Sequence, residues 1–482
     1  GIPSSEFASL AESGTKSKTW LDPIPADQTV AIKEVKKKWR ADGVSLDADD
    51  TREYPLGESA ACLVGVIREM LMPVPGQPGK TQDTMVPTGL ESSKNQILAG
   101  TNGKRVGLTD RKGAFLPMRM EEDSQTRVDG QNLTLTIDSD LQDYAAKAIK
   151  DAVQDHKAEN GSAIVMDPHT GDILAMANYP SFDPNGHIEG EFGYNPAYMA
   201  QLEPGSTFKI LTLAKALDAG VVDMNTVVHC SGGMQPTGKG RAIKCDAHHG
   251  NRAHGVTDPL KAIAKSCNVS AATWALRVKR PGMIDYIERL GLLKKTGIGV
   301  PGETRGLFRY DEYAQQLQLA TVGFGQSITC SPVGLIGAFS MLANEGVRVP
   351  PRLIKRIGNE ELPVGKGEQI IGKDAADKVV SCMEAVIETD AGTGKDLRIP
   401  GYRLGGKTGT AEKVGAKNRG YVSNFIGFVP AQQPKAVILV MVNDPKVGYY
   451  GAAVAGPAFK EIAKAVIRHF NIPPSVTSQA RQ

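Results

Sequence analysis

Glu203-Pro204-Gly205-Ser206-Thr207-Phe208-Lys209 is the stretch from which the rest of this chain is read. Pro204 and Gly205 interrupt the backbone. Behind them Phe208, Ile210, Leu211, Leu213, Ala214 and Leu217 recur at three- and four-residue steps, which predicts a largely buried helix over 206–219 stopped by Gly220. Ser206 then falls in the first turn and Lys209 one turn on, so the two side chains share a face. A serine hydroxyl is a weak nucleophile near neutral pH, but an amine whose pKa is pulled down by burial can take its proton. The positive end of the helix favours a developing oxyanion by about 0.3–2 kcal/mol. Ser-x-x-Lys alone arises often by chance, so its company carries the argument. That company is Ser266-Cys267-Asn268 and then Lys407-Thr408-Gly409-Thr410.

Composition sets the bounds. The 482 residues carry 56 Lys plus Arg against 53 Asp plus Glu, a net +3 with no concentrated basic face, so no nucleic-acid partner is expected. No apolar run reaches the ~18 residues of a membrane helix; the longest, Ala436–Val442, is strand-sized. Gly1–Phe7 does not read as a signal peptide but as an appended remnant, set aside from fold reasoning. Six thinly spread cysteines do not make a small-domain disulfide framework.

Along the chain, 8–45 is polar, with a short exposed helix expected at Ile32–Arg40. The prolines and glycines of 73–88 predict an irregular loop, and Gly89-Leu-Glu91 leads into a short helix ending before Gly100. Val128-Asp-Gly130 reads as a boundary, giving a front domain 1–128, a catalytic domain 129–473 and a tail 474–482. Alternation predicts a strand over Asn132–Ile137 and an amphipathic helix over Asp138–Val153. Ser162–Met166 and Ile173–Met176 form a hairpin around Asp167–Asp172. Helical patterns fill 206–344, interrupted by a loop at 229–256; Thr321–Gln326 precedes a helix at Val333–Leu342. Strands return at Leu404–Thr410, Phe425–Val429 and Ala436–Val442, before an amphipathic helix Pro457–Phe470. Strands at both ends with helices between predict an α+β fold around one antiparallel sheet completed by both chain ends.

Ser-x-x-Lys, Ser-x-Asn and Lys-Thr-Gly in this order resemble the signature of penicillin-binding proteins and β-lactamases. With Val165–Ala175, Gly323-Phe-Gly-Gln326, Gly392-Thr-Gly394, Gly405–Ala411, Arg52-x-Tyr-Pro-x-Gly57 and Gly89-Leu-Glu91, the chain resembles a class B penicillin-binding protein over roughly Arg52–Phe470. Ala391–Gly394, Ile399–Tyr402 and Tyr449-Tyr-Gly451 look most like the cell-division and sporulation branch. Leu202 departs from the tyrosine that many relatives carry there. The resemblance implies a penicillin-binding transpeptidase fold, an antiparallel sheet flanked by helices plus a helical subdomain, behind a non-catalytic pedestal that binds partners. It implies a monofunctional peptidoglycan D,D-transpeptidase that cross-links stem peptides of lipid II-derived strands in septal wall synthesis and is acylated by β-lactams. It calls for no cofactor. It implies division-complex membrane partners including a glycosyltransferase, and a location at the extracytoplasmic face of the cytoplasmic membrane, with an anchor preceding this chain.

Its roles map onto this sequence as follows. Ser206 is the nucleophile, Lys209 its general base, and Ser266 a proton relay. Asn268 would hold Lys209 and a substrate amide. Lys407 supplies positive charge toward the substrate carboxylate, which Thr408 and Thr410 bind, while Gly409 lets substrate backbone lie close. The Ser206 and Thr410 N–H groups form the oxyanion hole. A carboxypeptidase or β-lactamase would need fast deacylation, and no Glu-x-x-Leu-Asn element is apparent. A penicillin-sensing receptor or inert scaffold is the non-enzymatic alternative, against which Lys209 and Lys407 both stand. Separately, Cys230, Cys245, His249 and His254 place four zinc-type ligands in one loop, at spacing unlike a standard finger. Unbound side chains are the expectation there, with a Cys230–Cys245 disulfide or zinc as the alternatives. Cys267 reads as a small packing residue rather than a second nucleophile.

Overall fold

The computed structural model describes residues 26–39, 52–73, 81–104, 107–109, 115–120, 125–186, 193–237, 242–246, 252–309, 315–412 and 420–475. Its central sheet comprises β1 (Asn160–Met166), β2 (Ile173–Tyr179), β3 (Gly405–Glu412), β4 (Tyr421–Val429) and β5 (Ala436–Asn443), in the order β3-β4-β5-β1-β2 and antiparallel throughout. β5 pairs with β1, Val440 opposite Ala163, so both ends of the catalytic segment complete one sheet, as the sequence predicts.

Period-two alternation explains why β5 is apolar from Ala436 to Val442. Val437, Leu439 and Met441 enter one core with Phe208, Leu211, Val379 and Met383. Ile438, Val440 and Val442 enter a second with Leu141, Ile149, Phe459 and Ile462. Both faces are covered, so both sets of positions must be apolar. The second cover consists of α1 (Ser139–Asp155) and α5 (Gly456–His469). The first includes α2 (Phe208–Asp218) and α4 (Lys373–Glu388). Asp138 caps α1, its carboxylate accepting from Leu141 N at 3.0 Å. Between α2 and α4 in chain order comes α3 (Asn268–Arg289), broken at Lys279 just before Pro281.

Four expectations need correction. Of the irregular loop expected over 73–88, residues 81–87 form a strand paired with 67–73, and 74–80 lie outside the described residues; Pro73 and Pro87 sit at strand ends, where a missing N–H does not interrupt the ladder. The strand expected over Asn132–Ile137 spans Leu133–Leu135 and joins Ile354–Ile357 in a separate three-stranded sheet. The 229–256 segment contains short strands, Val228–Cys230 pairing with Gly255–Thr257 and Gly233–Met234 with Ile243–Lys244. Phe470 lies beyond the last helical residue and is 37% exposed.

The chain divides into two compact units, Gly1–Glu53 and Tyr54–Gln482. In the first, Ala26–Trp39 is helical, longer at its start than expected; Arg40 lies outside the described residues. In the second, Leu63 and Leu90 are buried in the same core as Ile164 and Phe208. Gln142 donates to the Ser59 carbonyl, and Ser181 to that of Glu58 at 2.7 Å. No described helix is long and apolar enough to cross a membrane.

Candidate active site

Gly205-Ser206-Thr207 form a single 3-10 turn that runs into α2. Gly205 has φ +58°, a left-handed conformation that favours glycine. Its N–H donates to the Gly325 carbonyl at 3.0 Å, and a Cβ on Gly325 would fall 2.1 Å from the Gly205 oxygen. Thr207 closes the turn by donating to the Pro204 carbonyl at 2.7 Å, and Glu203 accepts from Ser327 N at 2.8 Å. The Gly323–Gln326 motif therefore buttresses the nucleophile's backbone. Ser206 itself is half-buried, open to an incoming group, while Lys209 one turn on is completely buried.

Lys209 Nζ donates to the Ser266 carbonyl at 2.6 Å and to Ser266 Oγ at 3.0 Å. Lys407, equally buried, donates to the same Oγ at 3.0 Å, and to Thr408 O and Oγ1 at 2.9 and 3.1 Å. Two amines thus converge on one hydroxyl. Burial pulls the Lys209 pKa down to about 8, against the opposing charges of Asp246, Cys267 and Cys245. Burial, and then the neighbouring Lys209, push Lys407 well below the ordinary lysine value. Such a pair sheds a proton readily, and Ser266, with two lone pairs and one O–H, can pass it on.

Asn268 opens α3, and its amide donates to the Lys244 carbonyl at 2.7 Å, a partner other than the expected Lys209. Thr408 and Thr410 lie on β3, the sheet's edge strand. The Thr408 hydroxyl is 3.3 Å from that of Thr393, which brings the Gly392-Thr-Gly394 motif to the site. Thr410 Oγ1 accepts from Gly451 N at 3.1 Å, leaving its own O–H available to donate. A Cβ on Gly205 would lie 3.0 Å from the Thr410 carbonyl, so the nucleophile turn and β3 abut. Gly409 has a further reason to be glycine: its Cβ would lie 2.1 Å from Asn424 Oδ1 on β4.

Asn424 escaped the sequence reading. It is buried opposite Gly409, and its amide reaches the Pro204 carbonyl at 3.5 Å, tying β4 to the nucleophile turn. An asparagine directly before the apolar run Phe425–Val429 was the available signal.

The loop cysteines also meet. Cys230 Sγ lies 3.7 Å from Cys245 Sγ, so the two are not bridged. Cys267 lies 3.8 Å from Cys245, and His254 Nδ1 3.8 Å from Cys230. His249 falls outside the described residues. A hydrogen bond from Cys245 holds the Cys267 thiol well below the ordinary range, and the same contact pushes Cys245 up.

Known proteins resemble this chain over most of its length. The penicillin binding protein transpeptidase domain matches residues 161–464, and the penicillin-binding protein dimerisation domain matches 5–135. The peptidoglycan D,D-transpeptidase FtsI of Escherichia coli K12 is 34% identical over 446 residues, covering 91% of this chain and 70% of that protein. The probable peptidoglycan D,D-transpeptidase PenA of Neisseria gonorrhoeae is 31% identical over 485 residues, covering 98% and 78%. Penicillin-binding protein 3 of Mycobacterium tuberculosis, solved in complex with aztreonam, superposes with a TM-score of 0.74 at 30% identity, covering 89% of this chain and 92% of that one. Matched over most of its length by these relatives, and with all three motifs gathered around Ser206, the chain belongs to the penicillin-binding protein transpeptidase family.

Proposed function

We propose that this chain is a serine-type peptidoglycan D,D-transpeptidase in which Ser206 is acylated by a D-Ala-D-Ala-ended stem peptide. The observation that carries the reading is the convergence of Lys209 and Lys407 on Ser266 Oγ, each at 3.0 Å, beside the half-buried Ser206 turn.

Neutral Lys209 takes the Ser206 proton as Oγ attacks the carbonyl of the penultimate D-Ala. The tetrahedral oxyanion is met by the Ser206 and Thr410 N–H groups, each donor contributing about 2.7–4 kcal/mol in comparable sites. Ser266 relays the proton to the departing D-Ala amine, the C–N bond breaks, and the acyl-enzyme remains. An amine from a neighbouring stem then attacks the ester, loses its proton back through Lys209, and releases Ser206. The edge of β3 supports an extended substrate tail. The Thr408 and Thr410 hydroxyls are offered to its carboxylate. Lys407, tied inward, acts through Ser266 and Thr408 as well as through its field.

A β-lactam presents the same carbonyl and carboxylate and acylates Ser206. The FtsI and PenA relatives favour a septal role. A location on the outer face of the cytoplasmic membrane, with division-complex partners including a glycosyltransferase, is the accompanying proposal. The test is intact mass after incubation with a labelled penicillin: one adduct on the native chain and none on Ser206→Ala. Labelling that persists in Ser206→Ala removes Ser206 from the nucleophile's role.

A further inference from the structure

Three cysteines and a histidine converge immediately behind the Ser-x-Asn motif. Cys230 ends one strand of a pair, and His254 directly precedes the other strand. Cys245 follows Ile243–Lys244, and Cys267 is the residue before α3. One ligand atom from each of the four lies within 4.8 Å of all the others. The three cysteines are completely or almost completely buried, so these sulfurs face one another away from water.

Size and chemistry identify the occupant. Four donors at about 2.3 Å from a tetrahedral ion lie about 3.8 Å apart, and slightly less where one is nitrogen. The contacts here are 3.7, 3.8 and 3.8 Å. A disulfide would use two of the three sulfurs and leave the third facing it. Thiols are weak hydrogen-bond donors, so mutual contact explains little of why three converge on an imidazole. Surrounding groups suit a bound cation's ligands. Ser270 N–H points at Cys267 Sγ at 3.4 Å, and Arg252 donates to the Cys245 carbonyl at 3.0 Å. Groups of this kind orient metal ligands.

We propose that Cys230, Cys245, His254 and Cys267 bind one zinc ion in a closed structural site. Four protein ligands leave no open position, which separates a structural zinc from a catalytic one. The ion pins the 228–257 excursion to Cys267. Cys267 is flanked by Ser266, held at φ +55°, and by Asn268, bound to the Lys244 carbonyl next to Cys245. Zinc therefore acts as a clamp that sets where the Ser266 hydroxyl stands between the two lysines. Cys267 takes the place that spacing alone would give to His249.

The test is metal content of the purified full chain by inductively coupled plasma mass spectrometry, after dialysis against a weak chelator. About one equivalent of zinc is expected, retained by Cys382→Ser, whose sulfur lies outside the cluster, and lost in Cys230→Ser and Cys245→Ser. Should those variants misfold, the native chain decides the matter: stripped with a strong chelator and reloaded with cobalt, it should show the intense visible bands of tetrahedral cobalt–thiolate. Stripping should lower the melting temperature and slow penicillin acylation at least tenfold, and added zinc should restore both. Less than about a tenth of an equivalent before and after reloading overturns the proposal. So does iron or copper in zinc's place, or a Cys230–Cys245 disulfide in an unreduced peptide map. None of these results bears on whether Ser206 is acylated.

Discussion

Lys209→Met keeps the length and buries well but cannot take a proton. The pKa of Lys209 falls from the ordinary 10.5 to about 8 because the amine is buried. At pH 7 that raises the neutral, base-competent fraction from about one in three thousand to about one in ten, a difference of about 3 kcal/mol. A positioned general base contributes about 10²–10⁴-fold, so penicillin acylation in Lys209→Met should fall by about a thousandfold. Stability moves separately. Between about pH 8 and 10.5 the unfolded chain binds a proton that folded Lys209 has lost, so native stability rises with pH across that window. Below about pH 8 both states are protonated, and the folded state bears the full cost of about 3 kcal/mol. Methionine removes that cost but leaves the Ser266 carbonyl without its lysine donor, a loss of about 1–3 kcal/mol. The variant should therefore melt close to the native protein at pH 7 while losing acylation. Stopped-flow labelling with a fluorescent penicillin over pH 6–9 and thermal melts read both. The native rate should climb toward pH 8 and level off. Acylation within tenfold of native in Lys209→Met, or a flat native profile, would refute Lys209 as the base.

Three further outcomes are expected. The β-lactam adduct on Ser206 should persist for many minutes by intact mass, since no deacylating base is apparent; turnover within seconds would favour a β-lactamase. Gly409→Ala should abolish labelling by forcing its Cβ onto Asn424, and Gly409→Ala with Asn424→Ala should recover part of it; no recovery would place the obstruction on the substrate side instead. A fragment from Asp129, the proposed start of the catalytic domain, should fold and acylate but melt below a fragment from Tyr54, because Leu63 and Leu90 leave the core at about 1.5–3 kcal/mol each. Equal melting temperatures would show that these leucines contribute nothing.

The sheet and its helices were legible because one requirement wrote them. A strand covered on both faces must be apolar at every position, as Ala436–Val442 is, and a helix on that sheet must show one apolar stripe, as 456–469 does. Pairing partners were less legible. Pro73 and Pro87 look like breakers until their places at the strand ends are known, and Leu133–Leu135 says nothing of Ile354, its distant partner.

At the site, residues that do chemistry are spaced by chemistry: a base one helical turn from its nucleophile, hydroxyls alternating along an edge strand. Residues that hold those groups in place are chosen by the fold and carry no spacing of their own. Asn424 is 220 residues from Pro204 and meets it only because β4 passes beneath the nucleophile turn. Cys267 reads as filler from its neighbours and becomes a possible ligand only when residues 230, 245 and 254 are brought to it. Lys209 and Lys407 illustrate the same division. Their identities are written in the motifs, but the lowered pKa of each arises from complete burial, and that of Lys407 also from the neighbouring Lys209. The motif thus names the base, and the packing around it sets the pH at which it can act.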